Sequence, residues 1–217
     1  LFGNFFPAFL FANAQTEISS SLAGLLSSLT PLFTLLIGIL IFKRPFAWAK
    51  TVGIIVGLLG AMLLVFFAQS GTVTGNPLYA LLCIIATACY AASSNTVQSY
   101  LNDMNPLTLS AVSFMFIGPP ALVYLLSTDF MPTMQTAETA WSSLGYISIL
   151  AIFGTVLASI FFYRLVQMTD AIFASTVSYM VPVVALGWGI VDGEPINAFY
   201  LIGMALILSG VYLSRSV

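Results

Sequence analysis

The chain reads as an all-α protein, a polytopic bundle of membrane-spanning helices, and three observations carry that reading. Of its 217 residues 60% are hydrophobic and only 6% charged, where a soluble domain carries about a quarter charged residues. The few charges punctuate uncharged runs long enough for a helix to cross a bilayer. A phrase built around one proline returns about 150 residues later.

Residues 1–16 make a first crossing that is too short. At about 1.5 Å per residue it reaches roughly 24 Å, against a hydrocarbon core of about 30 Å. Between Glu17 and Lys43 lie 25 uncharged residues, the second crossing. Between Lys50 and Asp103 lie 52, which the turn-rich stretch SGTVTGNP at 70–77 divides into a third and a fourth. Uncharged runs of 25, 25, 21 and 20 residues at 104–128, 139–163, 171–191 and 195–214 supply the fifth to the eighth. A spanning helix needs about 20 apolar residues, so eight crossings are expected, the first of them clipped. Alternating their sides puts all five basic residues, Lys43, Arg44, Lys50, Arg164 and Arg215, on one face. The positive-inside rule makes that face cytoplasmic and places the C-terminus there too. The expected location is the cytoplasmic (inner) membrane.

Composition also bears on function class. Five basic residues cannot track a phosphate backbone, so no nucleic-acid partner is expected. There is no His, no G-x-S-x-G and no carboxylate inside any crossing, so neither an enzyme nor a metal or cofactor site is expected. Cys83 and Cys89 lie six apart in one apolar run and read as small packing residues. The expected partners are a small-molecule substrate and membrane lipid, with a homodimer left open. Eight helices with short loops also suit a receptor or scaffold; the longest loop, around 127–140, offers little to such a partner.

The repeated phrase is the strongest internal signal. A shift of 151 places Gly3 on Gly154, Ala23 on Ala174, Ser27 on Ser178, Pro31 on Pro182 and Gly38 on Gly189. After a one-residue slip, Pro45 meets Pro195, Gly53 meets Gly203 and Gly60 meets Gly210. The copies sit in crossings two and seven. Five crossings is an odd number, so they run through the membrane in opposite directions, as inverted repeats of secondary transporters do. The unit is five helices. Residues 1–70 then hold the last three helices of a first unit and residues 76–217 a complete second. Two helices are expected before Leu1, and ten in the full-length protein.

SSSLAGLLSSLTPLFTLLIGILIFKRP with GIIVGLLGAMLLV, and ASTVSYMVPVVALGWGIVDGEP with LIGMALILSGVYL, resemble the ends of the two EamA-type repeats of the drug/metabolite transporter superfamily. The resemblance implies ten helices in two inverted five-helix units, and a transporter of small metabolites, amino-acid-like or drug-like, working by alternating access. It also implies that the helices bearing the two prolines flank a central cavity. Glu194 matches the family's acidic position before the last helix, whereas the first copy has Arg44 there.

The candidate substrate-binding residues follow from where polar groups fall in apolar runs. Ser27, Thr30 and Pro31 with Thr34 and Gly38 recur at helical spacing in one copy, and Ser175, Ser178 and Pro182 in the other, with Tyr179 alongside. Such a stripe lines a cavity or lets helices approach closely, and each proline either faces the path or simply kinks its helix. Asn4, Tyr90, Asn95, Gln98, Thr155, Ser159 and Tyr163 are further candidates, because amides and phenols away from water need partners. Glycines of GIIVGLLG at 53–60 suit close helix packing. No ionisable group lies within a complete crossing; such groups mark proton routes, so movement down the substrate's own gradient is expected, with sodium left open.

Overall fold

The structure, a computed structural model, describes residues 2–18, 20–68, 77–136, 139–181, 183–184 and 198–214. Every regular element among the described residues is helical. In chain order these are α1 (Phe5–Ala14), α2 (Ser20–Ser27), α3 (Thr30–Leu40), α4 (Trp48–Ala68), α5 (Pro77–Tyr100), α6 (Pro106–Leu126), α7 (Phe130–Thr136), α8 (Ala140–Leu150), a π-helical segment (Ala151–Leu157), α9 (Ala158–Met168), α10 (Ala171–Ser175), a 3₁₀ segment (Thr176–Tyr179) and α11 (Ala198–Ser214). Pro182, Gly189, Asp192, Glu194, Pro195 and Arg215 lie outside the described residues.

Three helical stretches are long and apolar enough to cross a membrane: Leu78–Tyr100, Pro106–Leu126 and Ala140–Met168. Shorter apolar helices accompany them at Phe5–Ala14, Thr30–Leu40, Trp48–Leu63 and Leu201–Ser214. Large apolar side chains cover the outer faces; Met115 is 75% exposed and Phe153 64%. A surface of that kind suits lipid rather than water. The stretch read as the longest loop carries the short helix α7.

Two expected crossings are broken rather than continuous. The one over 18–42 divides into α2 and α3, with Pro31 in the first turn of α3, where its missing N–H costs no ladder bond. Ser27 O, the carbonyl that an N–H at 31 would have reached, takes the Thr30 hydroxyl instead at 2.5 Å. The one over 171–191 begins as α10, tightens to 3₁₀ at Thr176–Tyr179 and is helical again at Met180–Val181. Asp170 starts it, its carboxylate accepting from Phe173 N at 2.9 Å, a side-chain N-cap. The long sixth crossing stays helical but widens to a π-helix at Ala151–Leu157.

The most extensive helix pair is α4 with α11. A Cβ on Gly53 would lie 2.7 Å from Gly210 O, and one on Gly60 would lie 2.7 Å from Gly203 O. Residue number rises along one helix as it falls along the other, so the two run antiparallel. Only glycine permits backbones this close. Shifting by 150 exchanges Gly53 with Gly203 and Gly60 with Gly210, which turns each contact into the other. The pair thus has the self-complementary form of a two-fold contact. Tyr179 closes one side of it: the fully buried ring lies where a Cβ on Gly57 would come within 2.6 Å, and its hydroxyl donates to Ile54 O at 2.8 Å. Elsewhere Cys83 is buried in an apolar cluster with Ala14, Ile18 and Ala23.

Candidate functional site

The backbone irregularities converge on one cavity. It has a volume of about 640 Å³, within the range of small-molecule sites. The start of the chain contributes Gly3, Asn4 and Ala8; the α2–α3 break contributes Thr30; α5 contributes Tyr90, Ser93 and Ser94. Gly154 and Thr155 come from the π segment, with Ala158, Ser159, Phe161, Phe162, Tyr163 and Leu165 following in α9. Ser175, Val177, Ser178 and Val181 come from the α10–3₁₀ stretch. Non-helical backbone at membrane depth is tolerated where it lines a cavity, and π-bulges favour functional positions.

Of the expected site residues, Asn4, Thr30, Tyr90, Thr155, Ser159, Tyr163, Ser175 and Ser178 line this cavity together. Ser27, Pro31, Thr34, Gly38, Asn95, Gln98 and Tyr179 do not. Ser27 turns its hydroxyl back to Gly24 O at 2.7 Å. Pro31 is buried at the head of α3. Asn95 is fully buried, its amide nitrogen donating to Thr34 O and Ala91 O, both at 3.0 Å, so it rivets α3 to α5. Tyr179 faces the α4–α11 pair, as described. Burial drives each choice, since a polar group withdrawn from water must be satisfied by whatever carbonyl is nearest. Pro182 lies outside the described residues. The residues that sequence reasoning passed over are mostly apolar: Phe161, Phe162, Leu165, Val177 and Val181 carry no polar signal in an apolar run. Ser93 and Ser94 were legible in SSNTVQS only as part of a polar turn.

The cavity wall continues into an apolar core and then a polar layer. Phe162, Tyr163 and Leu165 belong both to that wall and to an apolar core with Val97, Leu109, Val166, Ala171 and Ala174. Polar residues follow on the same elements. Lys50 pairs with Asp170 at 2.7 Å. Arg44 donates to the Gln98 side-chain oxygen and, at 2.8 Å, to the Ser99 hydroxyl. The same Gln98 oxygen accepts from Ala171 N at 2.8 Å. Gln167 donates to Leu101 O and Met104 O at 3.0 and 2.8 Å. Burial pushes the Arg44 guanidinium down from its ordinary value and the field of Asp170 pushes it back up; it remains a cation at neutral pH. This layer joins the α3–α4 connection to α5 and to the α9–α10 turn. It uses two of the basic residues assigned by sequence to the cytoplasmic face, Arg44 and Lys50, with Asp170 as the acidic partner of the latter. Lys43 adopts a positive φ of 52° just before Arg44, and that turn sends the Arg44 N–H back to Gly38 O at 3.0 Å.

An apolar helix bundle around a solute-sized cavity walled by interrupted helices has the build of a membrane transporter. The profile of the EamA-like transporter family matches residues 1–66 and 77–216, and the chain belongs to that family of membrane proteins. An uncharacterized transporter of Archaeoglobus fulgidus is 28% identical over 206 residues, covering 92% of this chain and 69% of that protein. The uncharacterized inner membrane transporter YedA of Escherichia coli is 27% identical over 91% of this chain, and the uncharacterized transporter YetK of Bacillus subtilis 25% identical over 88%. The chain spans 62% of YedA and 58% of YetK. A solved crystal structure matches with a TM-score of 0.75 at 19% identity, over 98% of this chain and 72% of the other; that likeness concerns the fold.

Proposed function

We propose that this protein moves a small metabolite across the cytoplasmic membrane by alternating access, through the cavity that Asn4, Thr30, Tyr90, Thr155, Tyr163 and Ser178 line. The observation that carries the proposal is the wall of that cavity: interrupted helices line it, and through Phe162, Tyr163 and Leu165 it continues into an apolar core. In this reading that core and the polar layer of Arg44 and Lys50 close the cytoplasmic end, because those two residues belong to the basic face. The exchange symmetry of the α4–α11 glycine contacts supports an inverted repeat, with five helices per unit and ten in the whole protein. Alternation then means parting Lys50 from Asp170 and Arg44 from Gln98 while the opposite end closes. No described Asp, Glu, Lys or Arg side chain lines the path, which favours movement down the substrate's own gradient.

The test combines flux with accessibility in proteoliposomes of the full-length protein. In a background carrying Cys83→Ala and Cys89→Ser, a cysteine at Ser178 is labelled from each side with an impermeant thiol reagent. Asp170→Asn combined with Lys50→Ala should raise labelling from the cytoplasmic side several-fold. A panel of labelled metabolites should show saturable flux above protein-free liposomes. Labelling that ignores these substitutions, with no flux for any metabolite, would leave a receptor or scaffold as the better reading.

A further inference from the structure

The wall of the cavity holds many hydroxyls and, among the described residues, no charge. Arg164 sits in sequence between two lining residues, Tyr163 and Leu165, yet is itself exposed and off the wall. Lys50, Asp170 and Arg44 are engaged with partners beyond the apolar core. Asp192 and Glu194 lie outside the described residues. The hydroxyls are of two kinds. Thr30, Ser94 and Ser175 donate to carbonyls of their own segments, Ser27 O, Tyr90 O and Ile172 O. Those of Tyr90, Ser93, Thr155, Ser159 and Ser178 donate to no acceptor among the described residues. The buried Asn4 amide nitrogen forms no hydrogen bond of ordinary geometry among them and interacts with the Tyr163 hydroxyl.

Hydroxyls donate and accept equally well, so this wall satisfies neutral polar groups of either kind. Among the described residues it offers no counter-charge to a lone ion. Withdrawing a carboxylate or ammonium from water is tolerated only when an opposite charge or a dense set of aimed dipoles replaces the water. A zwitterion brings its own counter-charge. Phe162, Val177 and Val181 add an apolar side to the same space. Building on the transport reading above, we infer that the site takes solutes of zero net charge, neutral or zwitterionic, which join a hydrogen-bonding face to an apolar one. It rejects their singly charged counterparts.

The experiment uses one skeleton in four charge states at about pH 6, where an α-amino amide is largely protonated: phenylalanine (zwitterion), N-acetylphenylalaninamide (neutral), phenylalaninamide (cation) and N-acetylphenylalanine (anion). Thymidine and its monophosphate form a second, independent set. Saturable uptake above protein-free liposomes is measured alongside equilibrium dialysis against the purified full-length protein. In at least one skeleton the zero-charge members should bind and cross, and the ions should do so at least tenfold less well. Ser159→Asp places an anion in the wall and should improve phenylalaninamide relative to the neutral amide by at least tenfold, whereas Ser159→Asn should leave the order unchanged. An ion that matches or outpaces its zero-charge partner overturns the inference. So does absence of binding by every member, and so does a Ser159→Asp protein that binds the neutral amide normally without favouring the cation. Selective binding of zero-charge members without uptake sinks the transport reading and leaves the charge selectivity standing.

Discussion

Ser178 and Tyr179 are neighbours in sequence with opposite employments. The Ser178 hydroxyl opens on the cavity, while the Tyr179 ring is clamped between α4 and α11 and donates to Ile54 O. Ser178→Ala should raise the apparent KM for a transported solute several-fold and leave the unfolding temperature unchanged. Tyr179→Phe removes the hydroxyl's hydrogen bond to the Ile54 carbonyl, a loss of about 1 kcal/mol; it should lower the unfolding temperature by a few degrees with KM unaltered. A reversed pattern, read from flux and from thermal melts of purified protein, would show that the roles are exchanged. Glycines separate in the same way. A Cβ on Gly210 would sit 2.6 Å from Gly53 O and from the Gly57 Cα, whereas one on Gly118 meets nothing within 4 Å. Gly210→Ala should therefore cost about 1–3 kcal/mol through overpacking. Gly145→Ala, whose Cβ likewise meets nothing within 4 Å and which lies in α8 away from any proline, should be neutral or slightly stabilising. Equal melting temperatures for the two variants would contradict the close α4–α11 approach.

Among the elements, the π segment does the most to shape the cavity. A π-bulge amounts to one inserted residue in an α-helix, and everything after it is turned by about 100°. Ser159 and Tyr163 follow it on α9 and line the cavity. Deleting Ile152 should restore the α register and rotate them off the wall. Flux should then fall at least tenfold, while the protein still inserts and elutes as a monodisperse peak from a sizing column. Flux that survives the deletion would mean that the π turn does not set the wall. The α2–α3 break works differently: Thr30 caps Ser27 O where Pro31 cannot donate, so the break is chemically satisfied and does not depend on neighbouring helices to hold it open.

At the scale of the whole molecule, the charges report both topology and closure. Single cysteines introduced at Thr133 and at Lys50 in the same cysteine-free background should label from opposite sides of intact cells, Thr133 from outside and Lys50 from inside. Labelling of Lys50 from outside would overturn the side assignment and the inverted arrangement with it. Lys50→Arg should preserve the pair with Asp170, because the donor remains a cation, and should keep cytoplasmic labelling of a cysteine at Ser178 low. Lys50→Glu sets like charges opposite each other and should raise that labelling several-fold.

The sequence by itself determined the solvent and the class of element. A chain with 6% charge and apolar runs of about 20 residues must satisfy its backbone internally as helices, and no tertiary detail changes that. It also marked the glycines of GIIVGLLG for close helix packing, without naming the partner helix, and it nominated the hydroxyls of Thr155 and Ser178. Only the tertiary structure decided which polar groups face a cavity and which are spent on packing. Asn95 and Tyr179 carry the same chemistry as Asn4 and Tyr90, and the difference lies in whether a neighbouring helix offers a carbonyl within hydrogen-bond reach. The π turn was equally invisible, since AIFGTVL is as apolar in an α-helix as in a wider one; its register is set by what α8 and α9 pack against.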